Sequence, residues 1–530
     1  MQQQSIFTSI RLAIIVALGG FLYGFDASVI SGVVGFVTTE FQLNVWEQGF
    51  VVSAPSLAAL FASPLMGNLA DAVGRKKVLI AISALYVVSA ILSAIAPDFW
   101  TLVIARCLGG FAFASLIIAP IYIGEVAPSN QRGRLVSINQ LNIVVGLSAA
   151  YFANYAFLQV SQDTTSWLYS MGANENVWRW MLGIETIPAL ISLILLFSIP
   201  ESPRWLVMKQ RYDEALAVLT KLVPGRDNQA LLEEIKRHNG DEKQPPLSER
   251  IGIMLSPRLR LTMFIALVIA IAQMGTGINA VFFYAPTVFA QSGIGTDAAF
   301  AQSVLVGLIN IVGTLVAMAL IDKLGRKPLL SIGLVGVVIS MSLCAYGFYT
   351  ATYTLTAESV AAIEGFDTSR VEALIGQTFT SDVAFKNALI STLGDTVANQ
   401  YQDGLLQAAA NMNPVLLLAG ILGFVASFSI SLGPVMWVLF SEIFPNNIRG
   451  LAISSVGIFN ALTSTVVTQM FPWQLANLGA AITFLIYGLV AIIALILVAW
   501  LLPETRGKSL EELEDILQDG SNEKRGNTAT

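Results

Sequence analysis

Charged residues, histidine and cysteine are all scarce in this 530-residue chain. Asp, Glu, Lys and Arg together make 12% of it, against about 25% in ordinary soluble proteins. That shortage excludes a soluble globule or a disordered scaffold. Lys and Arg number 29 against 35 acidic residues, so the basic face that nucleic acid requires is missing as well. The two cysteines, Cys107 and Cys344, sit inside apolar runs, which argues against a disulfide framework or a thiol metal site. The one histidine, His238, lies in a charged segment. No nucleophile–base pair, metal-ligand cluster or cofactor motif is present in the apolar segments, so the chain does not read as an enzyme. Any proton handled inside a membrane must ride on a carboxylate.

Apolar sequence is what the chain has in abundance: 55% of residues are hydrophobic and the mean hydropathy is +0.69. Runs of 18 or more apolar residues mark membrane spans. Six fall near 10–36, 48–72, 77–96, 99–124, 135–159 and 179–199. Six more fall near 260–290, 300–321, 328–350, 413–440, 450–473 and 477–501. The first run is too long for a signal-peptide core and contains Asp26, so it reads as a span. With an even number of spans both termini share a face, and 25 of the 29 basic residues fall on that face. The positive-inside rule makes it cytoplasmic. The expected organisation is a six-helix bundle over 1–199, a cytoplasmic linker of short helices over 200–259, a second six-helix bundle over 260–502 and a cytoplasmic tail over 503–530. The segment 351–412 reads as an outside loop with short helices near Ala384–Leu393 and Asp403–Asn411. It is either a surface cap or a binding element.

The two halves repeat. Asp71-Ala-Val-Gly-Arg75-Lys76 follows the second span and Asp322-Lys-Leu-Gly-Arg326-Lys327 the eighth. Glu125 precedes Arg132-Gly133 by seven residues after the fourth span, and Glu442 precedes Arg449-Gly450 by seven after the tenth. Pro200-Glu201-Ser202 closes the sixth span and Pro503-Glu504-Thr505 the twelfth. This is a duplicated six-span unit with one insertion, at the long outside loop. Asp71, Glu125, Glu201, Asp322, Glu442 and Glu504 are expected to meet Arg75, Arg132, Arg204, Arg326, Arg449 and Arg506 as a cytoplasmic gate. Helix-end dipoles support such networks.

Three ionisable residues lie inside spans: Asp26 in the first, Arg106 in the fourth and Glu185 in the sixth. Each is costly in a bilayer and is expected to face the protein interior or water. Asp26 and Arg106 are expected to pair. Protonating Asp26 would leave Arg106 uncompensated and shift the balance between two states. Glu185 is either a second proton site or a partner for Arg106. The pair suits a proton better than a metal ion, because arginine repels a bound cation. A second set of polar residues interrupts apolar runs: Gln140, Gln273, Asn279, Asn310 and Asn460, with Tyr23, Tyr284 and Trp437 as aromatic faces. Amides with flat aromatics suit a neutral polyhydroxylated ligand, although a single amide can equally serve to bond neighbouring helices. Gly275, Gly277 and Pro286 point to a broken seventh span.

These motifs resemble those of the sugar porters of the major facilitator superfamily, over about residues 10–513. The resemblance rests on the paired D-x-x-G-R-K, Pro200-Glu-Ser-Pro-Arg204, Gln273 with Gly277-Ile-Asn279, and Pro503-Glu-Thr-Arg-Gly507. It implies an all-α polytopic fold of twelve transmembrane helices in two bundles, working by alternating access on a monosaccharide or polyol bound between them. It implies sugar-contact positions at Gln140, Gln273, Asn279, Asn310, Trp437 and Asn460. It also matches Asp26 and Arg106 to the ion pair of proton-coupled members, whereas passive members typically carry asparagine at the Asp26 position. Met274, Phe283, Ala461 and Leu147 depart from the usual pattern and leave room for a differently shaped sugar or an inositol. The reading is a proton-coupled importer of a sugar or cyclic polyol in the cell membrane. The alternatives are a facilitative uniporter and a sugar sensor. Asp26 argues against the first; the second would add a long tail, and only 27 residues follow Pro503.

Overall fold

The structure is a computed structural model that describes residues 2–127, 132–222, 227–241, 246–363, 366–445, 448–506, 508 and 512. Among the described residues eleven helices are long and apolar enough to cross a membrane: Thr8–Glu40, Arg75–Ala94, Phe99–Val126, Leu135–Gln162, Val177–Phe197, Arg260–Ala290, Thr296–Leu324, Arg326–Tyr349, Pro414–Ile443, Arg449–Asn477 and Ala480–Leu501. The bent pair Val45–Ala62 and Pro64–Val73, angled at 46°, completes twelve as the second span. Pro64 cannot donate to the preceding turn, which accounts for the bend. Twelve spans put the chain's entry and exit on one face, here termed the terminal face; the opposite one is the far face.

Besides the bent second span, four spans are broken among the described residues. The fourth divides into Phe99–Ala112 and Ser115–Val126, and its counterpart in the repeat, the tenth, into Pro414–Ile430 and Leu432–Ile443. The sixth divides into Val177–Gly183 and Thr186–Phe197. Pro188 has no N–H for the Ile184 carbonyl, which instead accepts from Ile187 N at 3.1 Å. The expected break in the seventh span is present between Arg260–Gly275 and Ile278–Ala290. Gly277 there has φ +88°, a conformation open to glycine at little cost. A second kink follows at Tyr284, just ahead of Pro286.

The chain forms two compact units, residues 1–30 with 54–244, and residues 31–53 with 245–530. In the first, spans one and five touch backbone to backbone, because a Cβ at Gly24 or Gly146 would meet the main chain of Ile143 or Phe21. The linker helices Pro203–Met208, Tyr212–Leu222 and Asn228–Asp241 share a small apolar core of Trp205, Leu206, Ala215, Leu219 and Leu232. Trp205 Nε1 donates to the Asp71 carbonyl at 3.0 Å, seating that core under the second span. His238 falls in the third of these helices, with its side chain outside the described residues.

In the second unit, residues 31–53 belong with the eleventh span. Ser53 Oγ donates to Gln469 Oε1 at 2.7 Å, Gln469 Nε2 donates to the Trp46 carbonyl at 2.8 Å, and Trp46 faces Trp473 with ring centroids 6.2 Å apart. The segment 351–412 is a small subdomain on the far face. Its helices Asp382–Leu393 and Asp395–Ala409 overlap the expected ones. Within this helical fold the subdomain adds one short sheet, in which strand Thr352–Thr354 pairs antiparallel with Thr378–Phe379 and with Ala410–Asn411. Tyr353, Leu355, Phe385, Leu389, Leu405 and Leu406 form its own buried core.

Candidate functional site

In the first unit, Asp26, Arg106 and Glu185 converge in the protein interior, each at most 2% exposed. Arg106 Nη1 donates to the Asp26 carboxylate and Nη2 to the Asp26 main-chain carbonyl at 3.1 Å. A guanidinium thus holds both the side chain and the backbone of one residue, a two-point grip lysine cannot make. Glu185 is buried in the same interior and interacts electrostatically with both Asp26 and Arg106, which is compatible with either expected role, second proton site or partner for Arg106. The break in the sixth span brings it there, with Glu185 standing immediately before Thr186–Phe197.

Gly109 went unread in the sequence. A Cβ on it would stand 2.8 Å from Ser89 Oγ and 2.9 Å from Asp26 Oδ2, so only glycine leaves the carboxyl its room. Its position one turn after Arg106, on the same helix face, was the available signal. Tyr23 is half-buried one turn before Asp26 and packs edge-on against Phe113, centroids 4.6 Å apart. Gln140 is half-buried on the fifth span.

The second unit gathers the amides. Gln273 Nε2 donates to the carbonyls of Leu432 and Gly433 at 3.0 and 3.3 Å, at the start of the half-helix after the tenth-span break. Asn460 Nδ2 donates to Gln273 Oε1 at 2.9 Å and to the Ala270 carbonyl at 2.8 Å. The backbone carbonyls fix the orientation of both amides. They leave Asn460 Oδ1 as an acceptor. Asn279 Nδ2 pairs with Ser464 Oγ at 2.7 Å, Ser429 Oγ with Asn310 Oδ1 at 2.5 Å, and Tyr284 Oη donates to the Thr468 carbonyl at 3.2 Å. Trp437 stands apart from these bonds at 44% exposure, edge-on to Phe440. Ser429, Ser464 and Thr468 were missed in the sequence. Asn460, Ser464 and Thr468 recur every fourth residue on one face of the eleventh span, which was the signal.

At the terminal face each repeat builds the same arginine–carboxylate network from members of the expected sets. Arg75 pairs with Asp71 at 2.9 Å and Glu125 at 3.1 Å. Arg326 pairs with Glu442 at 2.6 Å and Asp322 at 3.3 Å. Among the described residues Glu201 and Glu504 accept from backbone N–H groups and not from arginine side chains. Glu201 accepts from Lys76 N at 3.1 Å; Glu504 accepts from Arg326 N at 3.0 Å and Lys327 N at 3.1 Å. The free N–H groups and positive dipole end of the third and ninth helices attract a carboxylate more directly than an exposed arginine does. Arg449 donates to the Phe444 carbonyl and Arg506 to the Lys323 carbonyl. Arg204 is exposed and acts electrostatically on Glu125. The Arg132 side chain lies outside the described residues. Thr505 Oγ1, donating to Glu442 at 2.7 Å, is a further member.

Among the described residues no group of three or more His, Cys, Asp or Glu side chains is placed to hold a metal ion.

Comparison with known proteins agrees with this architecture. The family model described as "Sugar (and other) transporter" matches residues 12–366 and 388–517. The arabinose-proton symporter of Bacillus subtilis (strain 168) is 32% identical over 94% of this chain and 93% of its own length. The D-xylose transporter of Levilactobacillus brevis is 33% identical over 97% of both chains. Among solved structures, the inward open conformation of the xylose transporter XylE from E. coli superposes with a TM-score of 0.71 at 29% identity, covering 95% of this chain and 98% of that one. The chain belongs to the sugar porter family of the major facilitator superfamily and is a multi-pass membrane transporter of sugars, not an enzyme.

Proposed function

We propose that the protein is a proton-coupled symporter that imports a monosaccharide across the cell membrane, with both termini in the cytoplasm. The observation that carries the coupling is the charge count of the buried cluster. Asp26, Glu185 and Arg106 sum to −1 when all are ionised and to zero with one proton aboard. A second proton leaves the cluster at +1, a state that burial makes expensive unless the arginine finds another partner or water. Proton occupancy therefore biases which arrangement of the first unit is stable, and a carrier can draw on that bias to move sugar uphill. Relatives described as arabinose-proton and D-xylose-proton symporters support the same reading. The crowding of basic residues on the terminal face supports its orientation.

The amide cluster of the second unit is proposed as sugar-binding, with Gln273, Asn279, Asn310 and Asn460 supplying donors and acceptors and Tyr284 and Trp437 apolar faces. Gln140 and Tyr23 are the first unit's candidates. No unpaired charge stands among the described members of this set, which favours a neutral polyhydroxylated ligand over an anion. Pentoses and hexoses rank first by the relatives' names. A cyclic polyol ranks next, supported by 29% identity to an Arabidopsis thaliana protein described as probable inositol transporter 2. Asp26→Asn tests the coupling: it is expected to retain sugar exchange across the membrane while losing uphill accumulation. Accumulation that survives in this variant refutes the assignment.

A further inference from the structure

The 351–412 subdomain has no part in the transport reading above, yet it is attached to the second unit through two built contacts. The first is a buried socket. Asp382 and Lys386, 7% and 4% exposed, pair at 3.5 Å on helix Asp382–Leu393. Lys386 Nζ donates to the Leu475 carbonyl at 2.9 Å, in the last turn of the eleventh-span helix Arg449–Asn477. Asp382 Oδ2 accepts from Ala480 N at 3.1 Å, the first residue of the twelfth-span helix Ala480–Leu501. A cation thus sits at a helix C-terminus and an anion at a helix N-terminus, each matched to the local dipole. Gly479, with φ +82° between the two helices, faces the Asp382 carboxyl.

The second contact is lighter. Gln407 Nε2, on helix Asp395–Ala409, donates to the Ile294 carbonyl. Ala410 lies against Gly293, which has φ +85°. Two residues separate 293–294 from the end of Ile278–Ala290, the half of the seventh span that carries Asn279 and, at its kink, Tyr284. Between socket and grip runs the subdomain's own core, in which Phe385 and Leu389 of the socket helix are buried together with Leu405, Leu406 and Ala409 of the Gln407 helix.

We propose that the 351–412 subdomain is a strut, anchored at the corner between spans eleven and twelve and gripping the loop after span seven. Asp382, Lys386 and Gln407 are then positioning residues that set how freely the far half of the seventh span moves. This rests on the transport reading only in that this half-span carries two of the proposed sugar-binding residues. The socket is the fixed end, because breaking a buried charge pair is costly. The grip is one neutral hydrogen bond and a glycine contact, and is the end that releases.

Hydrogen–deuterium exchange on the full-length protein in lipid nanodiscs tests the strut without needing a substrate. Gln407→Met, which keeps length but loses the donor, is expected to speed exchange over 286–295 by roughly two- to tenfold, the Boltzmann range of one neutral hydrogen bond. Residues 260–272 stay unchanged, and Gln407→Lys, which keeps a donor, restores the slower rate. The decisive arm is the paired variant Asp382→Asn with Lys386→Met, which removes the charge pair without orphaning either member. It touches nothing in 286–295, yet is expected to speed exchange there by the same factor, and adding Gln407→Met to it is expected to produce no further change. Unchanged 286–295 exchange in the paired variant overturns the strut. So does a uniform rise across the whole second unit, which is the mark of general destabilisation. Absence of sugar transport by the wild-type chain would refute the transport reading and leave these exchange results to decide the strut by themselves.

Discussion

The charge count at Asp26, Glu185 and Arg106 makes a non-additive prediction. Asp26→Asn leaves Glu185 as the sole carboxylate facing Arg106. Glu185 is buried in the same cluster, so the remaining Glu185–Arg106 charges sum to zero without a proton. Glu185→Gln leaves Asp26 and Arg106 in their existing pair, again neutral without a proton. Each single change therefore swaps one neutral state for another: Glu185→Gln is expected to cost about 1 kcal/mol or less, and Asp26→Asn, which trades the direct charge-assisted bond to Arg106 for a neutral one, about 1.5 kcal/mol. The double variant has no carboxylate and leaves a buried guanidinium uncompensated, which costs on the order of 3–5 kcal/mol. The assay is the thermal unfolding midpoint of the purified protein in a single detergent, read as a rank order, with sugar counterflow as the check on folding. The double variant's shift is expected to exceed the sum of the single shifts, and both single variants are expected to lose proton coupling while retaining counterflow. A double shift equal to that sum would refute the charge-count argument, because it would mean that the three groups do not share one charge balance.

Three further outcomes follow from the geometry. Gly109→Val puts branched carbon where Ser89 and Asp26 already stand and is expected to abolish pH-dependent uptake at normal membrane abundance; pH dependence like that of wild type would show that the pocket beside Asp26 has slack. Gln273→Ala removes the acceptor for Asn460 and two donations to the tenth span and is expected to weaken sugar binding by about 1–3 kcal/mol, measured by equilibrium dialysis, with an unchanged affinity excluding it from the site. Arg326→Lys keeps the charge but loses the fork that reaches the Ile321 carbonyl, Asp322 and Glu442 together; it is expected to slow exchange nearly as much as Arg326→Ala, and full activity in the lysine variant would reduce that network to simple charge.

Most of the architecture was legible because hydropathy and lysine–arginine placement act locally. Twelve apolar runs, the duplicated D-x-x-G-R-K and the glycine-marked break at 275–277 needed no knowledge of distant contacts. The breaks at 113–114, 184–185 and 431 were not legible, since apolar residues continue through them and only their backbone departs from the helix. That is also why the sequence left Glu185 undecided: its partner depends on how the sixth span turns at Ile184. Glu201 and Glu504 were grouped with the arginines as charged residues at span ends, whereas in space they accept from backbone N–H groups at the start of another helix. The strands at 352–354, 378–379 and 410–411 are two or three residues long, too short to show any alternation. Their pairing is set by the subdomain's packed core. The amides were found one by one, but Ser429 and Ser464, which bond two of them, were not, because a hydroxyl in a span is common and only the four-residue spacing from Asn460 set Ser464 apart.

The central claim is that sugar and proton enter together. Purified protein in liposomes containing a pH-sensitive dye, challenged in turn with pentoses, hexoses and inositols, measures both at once. Internal acidification with at least one of these compounds, lost in Asp26→Asn, is the predicted result. Sugar entry with no change of internal pH would contradict it and reduce the buried Asp26–Glu185–Arg106 cluster to a structural feature of a passive carrier.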